Sequence, residues 1–123
     1  MRDRLGALPL FADLDDAQLD RLAAATTEFE APAGQALIER GRAGSGMFVL
    51  EEGEAVVEAP EGTRELGPGD VFGERALLGE AIERTARVRA RTDVRCLAIA
   101  RPEIERLLAE DPRVAARLGQ LST

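Results

Sequence analysis

The sequence predicts a mainly β fold: eight short strands flanked by one N-terminal helix and two C-terminal helices. Three observations predict it. Between Thr26 and Ala100, short apolar runs are broken by glycine roughly every eight to twelve residues, the spacing of an all-β sandwich or barrel. On either side of that stretch the apolar positions recur with helical spacing instead. The chain has 123 residues, enough for one core and too few for two, so a single domain over residues 1–123 is expected.

The elements follow in order. Asp15 is a good N-cap, Gln18 completes a capping box three residues later, and Leu14 and Leu19 occupy the two positions of a hydrophobic staple. The first helix is therefore expected from about Asp16 to Ala25, with Leu19, Leu22 and Ala23 inward and Leu8, Leu10 and Phe11 packed beneath. The strand runs are TTEFEA, QALIER, MFVLEE, EAVVEA, REL, DVF, ARVRAR and VRCLAIA. Glycines stand at the joints between them, where turns and close backbone approach call for them. Gly67-Pro68-Gly69-Asp70 is a strong turn signal. After Ala100, Pro102 fits a first helical position and Glu103 and Glu105 favour a helix start. Ile104, Leu107 and Leu108 make an apolar stripe. Asp111 caps a second helix, on which Val114, Leu118 and Leu121 recur at helical spacing. That last stripe is expected to dock on the β structure, a dimer seam or a lid over a ligand being the alternatives.

Composition excludes several chemistries. The chain has no histidine, tryptophan or tyrosine, and all 16 of its basic residues are arginine, as codon bias in a GC-rich bacterial genome produces. Without His a cupin-type metal site is out of reach. Without Lys there is no P-loop lysine, Schiff base or Ser–Lys dyad. The lone Cys96 makes no internal disulfide, and its setting in VRCLAIA reads as a buried strand position. The net charge of −7 argues against nucleic acid as a partner. No apolar run reaches the ~20 residues of a membrane span, and residues 1–10 lack the features of a signal peptide, so a cytoplasmic location without membrane contact is expected.

The informative segment runs from Gly67 to Ala90. In ARVRAR the residues alternate, with Ala86, Val88 and Ala90 on one face and Arg87, Arg89 and Arg91 on the other. The small apolar side reads as the inside, and continuing the alternation backwards puts Arg84 inside as well. A guanidinium aimed inward requires an anion, either an acidic side chain or a ligand. Arg87, Arg89, Arg91 and Arg95 read as a basic outer stripe balanced by glutamates. Ahead of them, Gly73 permits close backbone approach, and Glu74 opens a short helical stretch through Arg75, Ala76, Leu77 and Leu78. Free N–H groups at such a start favour an anion, and a carboxylate beside them either caps the helix or accepts hydrogen bonds from hydroxyls.

The run FGERALLGEAIERTARV resembles the phosphate-binding cassette of cyclic nucleotide-binding domains, the family of bacterial catabolite activator proteins, cyclic-nucleotide-dependent protein kinases and gated ion channels. The resemblance extends over nearly the whole chain, through LPLFADLDDAQLDRLA, GRAGSGMFVLEEGEAVV, GPGDVFGERALL and RPEIERLLAEDPRVAARL. It implies an eight-stranded β-roll of jelly-roll type. It also implies a site of Gly73, Glu74, Arg75, Ala76, Arg84, Thr85 and Ala86, with no metal and no catalytic residue. In that site Glu74 accepts the ribose 2′-hydroxyl and Arg84 pairs with the cyclic phosphate. The N–H groups of Ala76 and Thr85 add phosphate contacts, and Gly73 makes room for the sugar. Thr85 also reaches towards the base. A threonine there favours guanine in the cyclic-GMP-dependent kinases, while bacterial members with a small hydroxyl take adenine, so the choice of cAMP or cGMP stays open. The spacing from Gly73 to Arg84 is the longer one of the bacterial activators. The last helix is short and carries no aromatic residue to stack on a purine.

The expected function is a non-enzymatic sensor whose C-terminal helices move when cAMP or cGMP binds. Its output passes to an effector protein or a second copy of the chain, unless the sequence is part of a longer protein. A nucleotide-free interaction domain on the same fold is the alternative. A β-roll enzyme is opposed by the missing histidines.

Overall fold

The computed structural model describes residues 1–38, 46–60, 62–73 and 87–121. Among the described residues, eight strands lie in two four-stranded sheets, and every pairing is antiparallel. The first sheet contains β1 (Thr26–Ala31), β8 (Val94–Ala100), β3 (Gly46–Glu52) and β6 (Val71–Phe72), in that spatial order. The second contains β2 (Ala36–Ile38), β7 (Arg87–Ala90), β4 (Ala55–Ala59) and β5 (Gly62–Leu66). The eight strand runs read from the sequence are these eight strands. Helices flank them: α1 (Arg2–Gly6), a 3₁₀ turn (Pro9–Phe11), α2 (Asp16–Ala24), α3 (Arg101–Glu110) and α4 (Pro112–Leu121).

Alternation along β3 and β8 sorts their side chains between two cores. Met47, Val49, Leu97 and Ile99 point to one side, where Leu5, Phe11, Leu22, Ile104, Leu107 and other helix residues cover them. Leu50, Cys96 and Val94 point to the other side, into the roll, where they meet Ala55, Leu66, Val88 and Ala90 of the second sheet. The helices thus form a layer on the outer face of the first sheet, and the roll interior lies behind it.

The N-terminal region departs from expectation. The capping box of α2 is present, with Gln18 N–H donating to Asp15 Oδ1 at 2.8 Å and Asp15 N–H donating to Gln18 Oε1 at 3.0 Å. The staple residues Leu14 and Leu19 are both buried. Ahead of them, however, stand the additional helix α1 and the 3₁₀ turn, where the sequence predicts no regular element. Five residues show too little periodicity to announce a helix, and an isolated turn of that length is unstable. Tertiary contacts hold it: Leu5 is fully buried, and Arg4 is tied to Glu51 and Glu28 on the first sheet.

At the C-terminal end α3 begins at Arg101, so Pro102 is its second residue rather than its first. Asp111, buried despite its charge, caps α4. Its Oδ1 accepts the Arg113 N–H at 3.0 Å, and the Arg113 guanidinium holds its pKa below the usual carboxylate range. Val114 and Leu118 are buried in the helical layer, each burial contributing about 1.5–3 kcal/mol. They are therefore covered within the chain and do not form a dimer seam; the Leu121 side chain lies outside the described residues.

Arginines tie the helical layer together. Arg21 of α2 reaches Glu103 at 3.3 Å and Glu110 at 2.6 Å on α3. Arg117 of α4 donates to the Pro9 carbonyl at 2.7 Å and pairs with Asp13. The expected outer arginine stripe divides between the two sheets. Arg89 pairs with Glu58, and Arg91 with Glu65, on the second sheet. Arg95 stands on the first sheet among Glu28, Glu30 and Glu52, because β8 returns to it. For Arg89, Arg91 and Arg95 the balance by glutamates is as expected. None of the helices among the described residues is long and apolar enough to cross a membrane.

One end of the roll is stitched by its connections. Glu54 N–H donates to Thr92 Oγ1 at 3.0 Å, Arg91 N–H donates to Glu54 O at 2.9 Å, and Ala33 N–H donates to Asp93 Oδ1 at 3.0 Å. Gly53 sits in that corner at φ +90°, and a Cβ there would collide with the Asp93 carbonyl and stand 2.8 Å from Thr92 Oγ1. Gly53→Ala should cost about 2–3 kcal/mol in denaturant melts, through backbone strain and the displaced β7–β8 turn. The exposed Glu54→Ala should cost less than about 0.5 kcal/mol.

Cys96 gives a second test. Burial pushes its thiol up to about 11, and the Glu51 carboxylate adds to the rise. The thiol therefore holds its proton more tightly folded than unfolded, where it ionises near 9.0. The resulting stability is whole below that value and is lost as pH rises through about 11. With no tyrosine and no lysine in the chain, few other groups titrate in this window. Melts across it should show stability falling with pH, and Cys96→Ala should flatten the fall.

Candidate functional site

The candidate site is framed by β6 and β7. Before β6, the turn Gly67–Asp70 forms as its sequence predicts: Gly67 N–H donates to Asp70 Oδ2 at 2.8 Å, and Asp70 N–H returns to Gly67 O at 3.1 Å. Gly69 N–H donates to Leu50 O at 2.7 Å, and Leu50 N–H donates to Asp70 O at 2.9 Å, so the turn is tied to β3. β6 then pairs Val71 with Val49 and Phe72 with Phe48. Gly73 follows at φ +81°, a backbone conformation open to glycine and strained for other residues.

On the far side, β7 lies between β2 and β4 in the second sheet. Val88 and Ala90 are buried in the roll interior, as the sequence alternation requires. Arg89 lies half-exposed on the outer face, donating to Glu58 at 3.2 Å and to the Gly34 carbonyl at 3.1 Å. The chain therefore leaves the first sheet at its edge and re-enters the second sheet in its middle. Gly73 and Arg87 both lie at the end of the roll opposite the stitched corner, since β6 runs towards the Met47 end of β3 and β7 begins opposite Glu58. Of the expected site residues, Gly73 is placed at this end; Glu74, Arg75, Ala76, Arg84, Thr85 and Ala86 lie outside the described residues.

The interior wall beside Gly73 is apolar and incompletely covered. Phe29, Leu37, Phe48 and Val57 pack against the interior core while keeping part of their surface accessible. Phe48 stacks on Phe72 with ring centroids 5.2 Å apart, and Phe29 meets Phe48 edge-on at 6.0 Å. This aromatic row escapes a reading of the sequence, because its three rings come from three separate runs and only sheet pairing brings them together.

A different hollow, of about 380 Å³, opens near the stitched corner between Glu30, Pro32, Glu52, Asp93 and Arg95. Its carboxylates repel anions, and they are engaged: Arg95 pairs with Glu30 and Glu52, and Asp93 takes the Ala33 N–H. Among the described residues no group of His, Cys, Asp or Glu is arranged to hold a metal ion.

Comparison with known proteins follows the same lines. The family model for the cyclic nucleotide-binding domain matches residues 28–111. A cyclic nucleotide-gated potassium channel of Rhizobium etli is 34% identical over 90% of this chain and 31% of the channel. A cAMP-dependent protein kinase regulatory subunit of Aspergillus fumigatus is 37% identical over 85% of this chain and 26% of that subunit. The chain thus spans a third or less of the length of these curated relatives. Among solved structures, PKAR CBD2 with Sp-2Cl-cAMPS bound superposes with a TM-score of 0.78 at 26% identity, covering 94% of this chain and 80% of that one. With two antiparallel four-stranded sheets, the flanking helices and a family match over most of its length, this chain belongs to the cyclic nucleotide-binding domain family.

Proposed function

We propose that this chain, acting as one domain over residues 1–123, binds cAMP or cGMP reversibly and works as a regulatory sensor without performing chemistry on the nucleotide. The observation that carries the reading is the family match across residues 28–111, a range that spans the segment from Gly73 to Ala86 in which the sequence carries Glu74 and Arg84. The names of the relatives support it: one channel is cyclic nucleotide-gated, one kinase subunit is cAMP-dependent, and one solved relative holds Sp-2Cl-cAMPS.

In this reading Arg84 neutralises the cyclic phosphate through charge-assisted hydrogen bonds, and Glu74 accepts from the ribose 2′-hydroxyl. The N–H groups of Ala76 and Thr85 complete the phosphate cradle, and Arg75 and Ala86 flank it. The positive φ of Gly73 lets the backbone approach the sugar. The inward phase of Val88 and Ala90 supports the alternation from which Arg84 is assigned inward. Thr85 contacts the base, cAMP and cGMP both being candidates. Binding shifts the population of the C-terminal helices relative to the roll, and the output passes to an effector protein or a second copy of the chain.

Titration calorimetry with cAMP and with cGMP tests this. The wild-type chain should bind at least one of them. Arg84→Leu should weaken binding by about 2–5 kcal/mol, the scale for truncating one partner of a buried charge pair. Glu74→Ala should weaken it too. Arg89→Ala, on the outer face of β7, should leave it unchanged. Equal affinity in the wild type and Arg84→Leu would refute the site.

A further inference from the structure

β6 is only two residues long, and its two side chains enter different cores. Val71 joins the helical layer, and Phe72 joins the roll interior. Among the described residues it is an edge strand paired with β3 alone, and two register pairs set its position: Val71 opposite Val49, and Phe72 opposite Phe48. Such a short edge pairing does little to fix the direction in which the chain departs. The rings supply what the backbone lacks. Phe48 stacks on Phe72 at 5.2 Å with the planes 15° apart. Phe29 of β1 braces Phe48 from the other side, edge-on at 90°. Strand β8 lies between β1 and β3, and there it presents Cys96 opposite Phe29 and Ala98 opposite Phe48, small enough for the two rings to meet across it. Gly73, at φ +81°, comes directly after the braced ring, and Glu74 is the residue after that.

We propose that Phe48 is a positioning residue for the cyclic nucleotide site, acting through Phe72 to fix where the chain leaves β6 at Gly73. The inference rests on the sensor reading above and adds to it a residue outside the site segment. The role assigned to Phe48 is to set the geometry of the segment that follows Phe72.

The test pairs two substitutions on opposite faces of β3. Phe48→Leu removes the stack inside the roll. Val49→Ala opens a cavity on the helical side and serves as a control for lost stability. Calorimetry with cAMP and cGMP is combined with thermal melts on each variant. Phe48→Leu should weaken nucleotide binding by about tenfold, the upper range for loss of an aromatic pair. Val49→Ala should shift affinity by less than about twofold, even where its melting temperature falls as far. Phe48→Tyr, which keeps the ring, should restore affinity, and Phe48→Met should lie between. Wild-type affinity in Phe48→Leu, or an equal loss in Val49→Ala, overturns the proposal. If the wild type binds and Arg84→Leu does not, such a result leaves the sensor reading standing and removes Phe48 alone. If the wild type binds neither nucleotide, both fall.

Discussion

The structure depends on two central strands, β3 and β8, that are buried on both faces. Over most of β3 and β8 both phases of the strand are apolar, with Met47, Val49, Leu97 and Ile99 on one side and Leu50, Val94 and Cys96 on the other. The outer phase needs the helices, and the inner phase needs the second sheet. That constraint explains why the helical layer has its place and why Val114 and Leu118 of α4 turn into it rather than towards a partner. It also explains why β6 can exist at two residues, since each of its side chains is held by a different core.

Electrostatics refine this arrangement without creating it. Nearly all the ion pairs described are at least partly exposed, and pairs of that kind contribute little individually. Arginine suits them because one planar fork can serve acceptors on separate elements, as Arg21 does with Glu103 and Glu110, and Arg117 with Pro9 and Asp13. The acidic excess is spread over both sheets and the helices, and the hollow near the stitched corner carries part of it.

What the sequence makes legible is what is encoded locally. The α2 capping box, the Gly67–Asp70 turn, the Asp111 cap and all eight strands rest on neighbours a few residues apart. The site segment is legible for a different reason: its residue types and spacing resemble a known family, and the family match covers it. What the sequence hides lies between distant residues. Helix α1 exists through Leu5 and Arg4 contacts that no five-residue pattern announces. Arg95 parts from Arg87, Arg89 and Arg91 because β8 crosses to the other sheet, a fact of topology rather than of alternation. The aromatic row across β1, β3 and β6 needs the register before it can be seen.

The stitched corner has a mechanical consequence. Three connections between the sheets, β1 to β2, β3 to β4 and β7 to β8, are bound to one another there by Ala33, Glu54, Arg91 and Asp93. A shift in any one of these turns is therefore handed to the other two, so the two sheets cannot slide past each other at this corner without breaking several of these bonds together.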